Sequence, residues 1–141
     1  DVPSSLVTIY CMADGTEQET EFQAAVDILP GFRLIHRREL AEETALFHKT
    51  YTGIEDFIPF MADDSCNYIA LNSADGGVIR VAQEYGLSRV AASLDDFWAT
   101  VLACYEQGAY FLDDEGFLDY DFEGEGDIGL RINPDCNYWS E

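Results

Sequence analysis

The segment from Ser93 to Gly108 constrains the fold more than any other part of the chain. Leu94, Phe97, Trp98, Val101, Leu102 and Tyr105 recur at i, i+3, i+4, i+7, i+8 and i+11. That spacing gathers apolar side chains on one stripe of a 3.6-residue helix. Ser93-Leu94-Asp95-Asp96 has the form of a capping box with Asp in place of the usual Glu or Gln, and Gly108 supplies a stop. A stripe this complete must be buried, and it predicts a core helix with Trp98 against a sheet.

The sheet is expected in the middle of the chain. Asn67 to Asn72 alternates, with Ile69 and Leu71 on one face and Tyr68 and Ala70 on the other, and Ala74-Asp75-Gly76-Gly77 turns it into Val78 to Gln83. Phe57 to Met61 is an apolar run whose Pro59 favours an edge or a strand start, because proline cannot donate to a ladder. Upstream, Pro30-Gly31 marks a turn between the short extended segments Val26 to Leu29 and Phe32 to Ile35. Two more helices are predicted. One has Pro3 as its first residue, with Leu6, Ile9, Tyr10 and Ala13 on one face before Gly15; the other runs from Glu39 to about Tyr51 without a clear N-cap. Thr16 to Gln23 reads as a polar loop. Helices at both ends of a run of strands, without regular βαβ alternation, predict a single α+β domain over residues 1–141, with helices packed on a mostly antiparallel mixed sheet. The 48% apolar content argues against disorder.

Charge narrows the partners. Twenty-eight Asp and Glu against seven Lys and Arg give a formal net charge of −21. Nucleic-acid affinity comes largely from Lys and Arg that release counterions, and anionic membrane surfaces also require basic residues, so neither partner is expected. Either the charge confers only solubility, or it attracts a basic protein. Cys11, Cys66, Cys104 and Cys136 are scattered without zinc-ligand spacing, and no charged and then apolar leader pattern opens the sequence; the expectation is a reduced, cytoplasmic protein without metal or cofactor.

The sharpest local signal is acidic. Asp113, Asp114, Glu115, Asp119, Asp121, Glu123, Glu125 and Asp127 fall in one stretch without a basic residue, threaded by Phe111, Phe117, Tyr120 and Phe122. An acidic aromatic hairpin is predicted at about 109–128, with Asp114-Glu115-Gly116 at its tip. Two readings are open. The carboxylates and Tyr120 form a partner-binding surface, or the hairpin is solvated and its aromatics cover the core. Asp119, Asp121, Glu123, Gly124 and Asp127 mimic positions of an EF-hand loop, but Leu130 stands where the bidentate glutamate belongs. The basic side is one stretch with Arg33, His36, Arg37, Arg38, His48 and Lys49, either a docking patch for an acidic surface or ordinary solvated helix ends. Neither histidine lies in a nucleophile motif, so no catalytic residue is assigned and no enzyme is expected.

Several motifs in order resemble the SUKH superfamily, the Smi/Knr-like domains. These are Val2-Pro3-Ser4-Ser5-Leu6 through Tyr10 to Asp14-Gly15, Leu29-Pro30-Gly31-Phe32-Arg33-Leu34-Ile35, Phe57-Ile58-Pro59-Phe60, Asn67 to Asn72, Gly77-Val78-Ile79, and Ala91-Ala92-Ser93-Leu94-Asp95-Asp96-Phe97-Trp98. They span roughly residues 2 to 108. The sequence departs from the family at Asp63-Asp64-Ser65-Cys66-Asn67, where a glycine-rich stretch is usual, and at Phe57, where tryptophan is frequent. The resemblance implies no catalytic residues. It implies a protein-binding domain, in bacteria mostly an immunity protein that neutralises a cognate toxin such as a nuclease or deaminase. The alternative it implies is a regulatory or scaffold domain of the Smi/Knr type.

Overall fold

A computed structural model describes residues 3–17 and 27–140. The elements run α1 (Ser4–Met12), β1 (Arg33–Leu34), α2 (Leu40–Thr50), β2 (Phe57–Ala62), β3 (Tyr68–Asn72), β4 (Val78–Ala82), β5 (Gly86–Ala91), α3 (Leu94–Glu106), β6 (Tyr110–Leu112), β7 (Leu118–Tyr120) and α4 (Phe122–Ile132), closed by a 3-10 turn at Asn137–Ser140. The first five strands form one antiparallel sheet in sequence order, and β6 pairs with β7 in a separate ribbon. The fold is therefore α+β, with a fully antiparallel meander at its centre. No helix among the described residues is long and apolar enough to cross a membrane.

The sheet is buried on both faces. Ile69 and Leu71 of β3 point into the larger core with Leu6, Phe97, Val101 and Ile128, so α1, α3 and α4 share one face. Tyr68 and Ala70 point the other way, into a smaller core with Phe47 of α2 and Val81. The period-two alternation of β3 thus has an apolar destination on each side. Between Pro59 and Met61 the β2–β3 register slips, and the bulge delivers both Phe60 and Met61 to the larger core. Pro59 sits at this bulge, beyond the residues that β1 pairs with, so the missing N–H breaks no ladder although β2 itself is internal.

The predicted turns and caps are in place. Ser93 Oγ accepts the Asp96 N–H at 3.1 Å, and α3 ends at Glu106. Leu29 and Phe32 form a bridge around Pro30-Gly31, while Val26 lies outside the described residues. Pro3 is the N-cap rather than the first helical residue of α1. Gly15 follows at φ +86°, and a Cβ there would stand 2.3 Å from the Ile35 carbonyl oxygen. Only glycine lets the chain pass so close to β1.

Three expectations need correction. The buried face of α3 is Leu94, Phe97, Thr100, Val101 and Cys104; Leu102 and Tyr105 are exposed, because α4 packs against the side carrying Thr100, whose Oγ1 accepts Asn133 Nδ2 at 2.8 Å. Trp98 is half-buried, packed beside Phe60 and Phe97 rather than sealed beneath the sheet. The acidic hairpin is shorter than 109–128: it ends at Tyr120, and helix α4 begins at Phe122. Strand β5 has no counterpart in the sequence reading.

Candidate functional site

The hairpin starts from its turn. Asp113 Oδ1 accepts the N–H groups of Glu115 and Phe117, each at 2.9 Å, so one acid shapes the tip while Asp114 and Glu115 project into solvent. The cross-strand pairs are Tyr110 with Tyr120, Phe111 with Asp119 and Leu112 with Leu118. Tyr110 is buried, but Phe111, Leu112 and Tyr120 stay substantially exposed, and Phe122 just beyond is 64% exposed. The aromatics therefore do not all cover the core.

Asp121 occupies the N-cap of α4, with Glu123 and Glu125 in the first turn, where carboxylates complement the helix dipole. Glu123 and Asp127, four residues apart, share the outer face of α4, and both are exposed. Glu125 turns inward beside a cavity of about 140 Å³, whose walls include Tyr120, Phe122, Tyr138, Trp139 and Arg80. Burial raises the Glu125 pKa from its ordinary value, and the neighbouring Tyr110 hydroxyl offsets part of that effect without forming a hydrogen bond of normal geometry. The EF-hand spacing is dismantled: Asp119 lies on a strand, and Glu123 and Asp127 lie in a helix. No group of three or more His, Cys, Asp or Glu side chains among the described residues could hold a metal ion.

Three contributors to this surface were absent from the sequence reading. Arg80 on β4 lies over Tyr85 with its guanidinium carbon 5.3 Å from the ring centroid, and 5.4 Å from that of Tyr138. Tyr85, in the β4–β5 turn, is 70% exposed. Tyr138 stacks edge-on against Trp139, whose indole Nε1 donates to the Val90 carbonyl at 2.7 Å and so ties the 3-10 turn to β5. Tyr120, Phe122 and Tyr138 thus line one cavity with Arg80 and Glu125, and Tyr85 adjoins it through Arg80. None of Asp113, Asp114, Glu115, Asp119, Asp121, Glu123 or Asp127 forms an ion pair among the described residues.

The arginines of the basic stretch are paired within the fold, while Lys49 is exposed. Arg33 is neither a docking residue nor solvated. It is 1% exposed, donates to the Thr16 carbonyl at 2.8 Å, and lies within 4 Å of Glu39 and Glu43. Arg37 pairs with Asp14 at 3.0 Å and Arg38 with Glu17. His36 is half-buried, with Nδ1 accepting the Arg38 N–H at 3.1 Å.

A second, wider groove of about 620 Å³ lies between α2 and the β2–β3 end, and its lining includes His48, Ser73, Glu55 and Asp56. These are the residue types of a hydrolytic centre, but their bonds point elsewhere. His48 Nε2 lies 2.8 Å from the Phe57 carbonyl, and the Ser73 hydroxyl donates to the Asp56 carbonyl at 2.7 Å. No hydrogen bond joins Ser73 to His48, so no base is placed to activate the hydroxyl. The four cysteines are free, Cys11 and Cys66 exposed and Cys104 and Cys136 buried.

A scan of protein-family models and a search of curated proteins each return no match to this chain.

Proposed function

We propose that the chain is a SUKH-like, non-enzymatic immunity-type domain that acts stoichiometrically in the cytoplasm, docking on a basic toxin domain and blocking it. One observation carries this reading: exposed Tyr120 and Phe122 and half-buried Tyr138 line a single cavity with Arg80, and the carboxylates that flank Tyr120 and Phe122 in the chain form no ion pair among the described residues. Interfaces draw most of their energy from a few buried aromatic and arginine anchors, while surrounding charge sets encounter rate and register. Tyr85, Tyr120, Phe122 and Arg80 supply the first, and Asp113, Asp114, Glu115, Asp119, Asp121, Glu123 and Asp127 supply the second. The ordered motifs support the family reading in a second way, since Phe57 to Phe60, Asn67 to Asn72 and Gly77 to Ile79 fall on three adjacent strands.

The test is co-expression with a small toxin domain encoded beside this chain's gene. Protection of the host cell and a 1:1 complex that survives gel filtration are expected. If a neighbouring toxin kills cells regardless of this chain, or if no toxin domain is encoded there, the immunity role is wrong.

A further inference from the structure

We propose that the cavity between Tyr120, Phe122 and Tyr138 is a socket for one arginine side chain of the docked partner, with Glu125 as its acceptor. This socket presupposes the docking role given above and adds the chemical group that role selects.

The walls suit a guanidinium. Tyr120, Phe122 and Tyr138 are aromatic faces that attract a cation, and a guanidinium is planar and weakly hydrated, so it stacks at lower desolvation cost than an ammonium. The molecule already displays this packing once, since Arg80 lies over Tyr85 and Tyr138. The volume, about 140 Å³, holds one side-chain head and not a peptide segment.

The floor supplies the acceptor. Glu125 lines the cavity, is half-buried, and makes no ion pair with Arg80 or any other described residue. A half-buried carboxylate lacking a cation is less well solvated than one on the surface, and a fork of N–H donors offsets what burial removes. Arg80, which also lines the cavity and lies over Tyr138, would favour an anion instead. Two facts decide against that occupant: it would meet Glu125 inside the cavity, and it would approach a molecule of net charge −21.

n-Butylguanidinium serves as the probe for the intact chain, followed by backbone and indole NMR shifts. Saturable shifts centred on Gly126, Tyr138 and the Trp139 indole are expected, with none from n-butylurea or butyrate at equal concentration. Glu125→Gln, which keeps shape and an acceptor but removes the charge, should weaken binding roughly tenfold, as loss of a charge-assisted bond does. Tyr138→Leu should weaken it further. Preferential binding of butyrate would assign the pocket to Arg80 and carboxylates. Shifts spread over all exposed acids and unchanged in Glu125→Gln would show ionic screening only. Either result, or no binding, overturns the socket. The two proposals fail separately. A toxin bound normally by Glu125→Gln removes the socket and leaves the immunity role, whereas guanidinium binding without protection from any toxin does the reverse.

Discussion

The basic stretch from Arg33 to Lys49 and the acidic stretch from Asp113 to Asp127 look like mirror images in sequence, but the fold treats them oppositely. Arg33 is sealed between the sheet and α2, with Glu43, itself buried and accepting the Tyr68 hydroxyl at 3.1 Å. Arg37 and Arg38 are matched by Asp14 and Glu17. The acidic stretch has no such partners among the described residues; its shape comes from turn hydrogen bonds and from packing of α4 on Trp139. Charge that the fold has neutralised stabilises one conformation, while charge left open is available to another molecule.

The largest expected effect breaks the comparison on the basic side. Arg33→Ala leaves the Glu43 carboxylate buried without its cation, held only by the Tyr68 hydroxyl, and should cost about 3 to 5 kcal/mol in a urea titration. A loss under about 1 kcal/mol, the size of an exposed pair, would place Arg33 with the surface charges after all.

Next comes the packing that substitutes for ion pairs on the acidic side. A Cβ at Gly129 would fall 2.1 Å from the Trp139 ring, so Gly129→Ala must push α4 away from the 3-10 turn. A loss of about 1 to 3 kcal/mol is expected, as for other overpacked cores. The aromatic cavity should distort with it, seen as shifts at Tyr120 and Tyr138. A variant as stable as the parent would mean that α4 is not held by this contact.

A smaller effect sharpens the contrast from inside the site. Because burial raises the Glu125 pKa, the folded state disfavours its charged form, which costs stability at neutral pH and nothing below the ordinary value of 4.5. Glu125→Gln should therefore raise the urea midpoint at neutral pH, and the gain should vanish as the pH falls below that value. A midpoint lowered at neutral pH would show that Glu125 already has a cation partner in the fold.

The smallest effect on stability is expected where the charge is densest. Converting Asp113, Asp114, Glu115, Asp119 and Asp121 to amides keeps the Asp113 turn acceptor and should move stability by no more than about 0.5 kcal/mol. Association with a basic partner should respond instead. Its rate should fall and its salt dependence flatten, while Tyr120→Ala mainly raises dissociation. An unchanged rate and salt slope would remove the hairpin from the interface.

Local signals carried far in this chain. The Ser93 cap, the Pro30-Gly31 turn, the alternation of Asn67 to Asn72 and the Asp114-Glu115-Gly116 tip each depend on neighbours a few residues away, and each appears where the sequence places it. The same locality explains the failures. Glycines at 124, 126 and 129 argue against a helix on propensity alone, yet α4 forms because Gly129 lets it close on Trp139. In β5, Leu87 is exposed and Ser88 buried, so its apolar pattern does not announce a strand; pairing with β4 and the bond from the Arg89 N–H to Asn137 hold it in the sheet.

The candidate site divides in the same way. Sequence by itself determined the α+β class, the antiparallel hairpins and an acidic aromatic segment, because periodicity, caps and turn chemistry act within one segment of chain. Only the tertiary structure decided that Arg33 would be buried, that Glu125 would turn inward while Glu123 and Asp127 face out, and that Arg80 and Tyr138 would meet Tyr120 and Phe122 around one cavity. The segments that line that cavity, near residues 80, 120 and 138, are separate in the chain, and the contacts that join them depend on how separate elements pack together, which no pattern within a single element encodes.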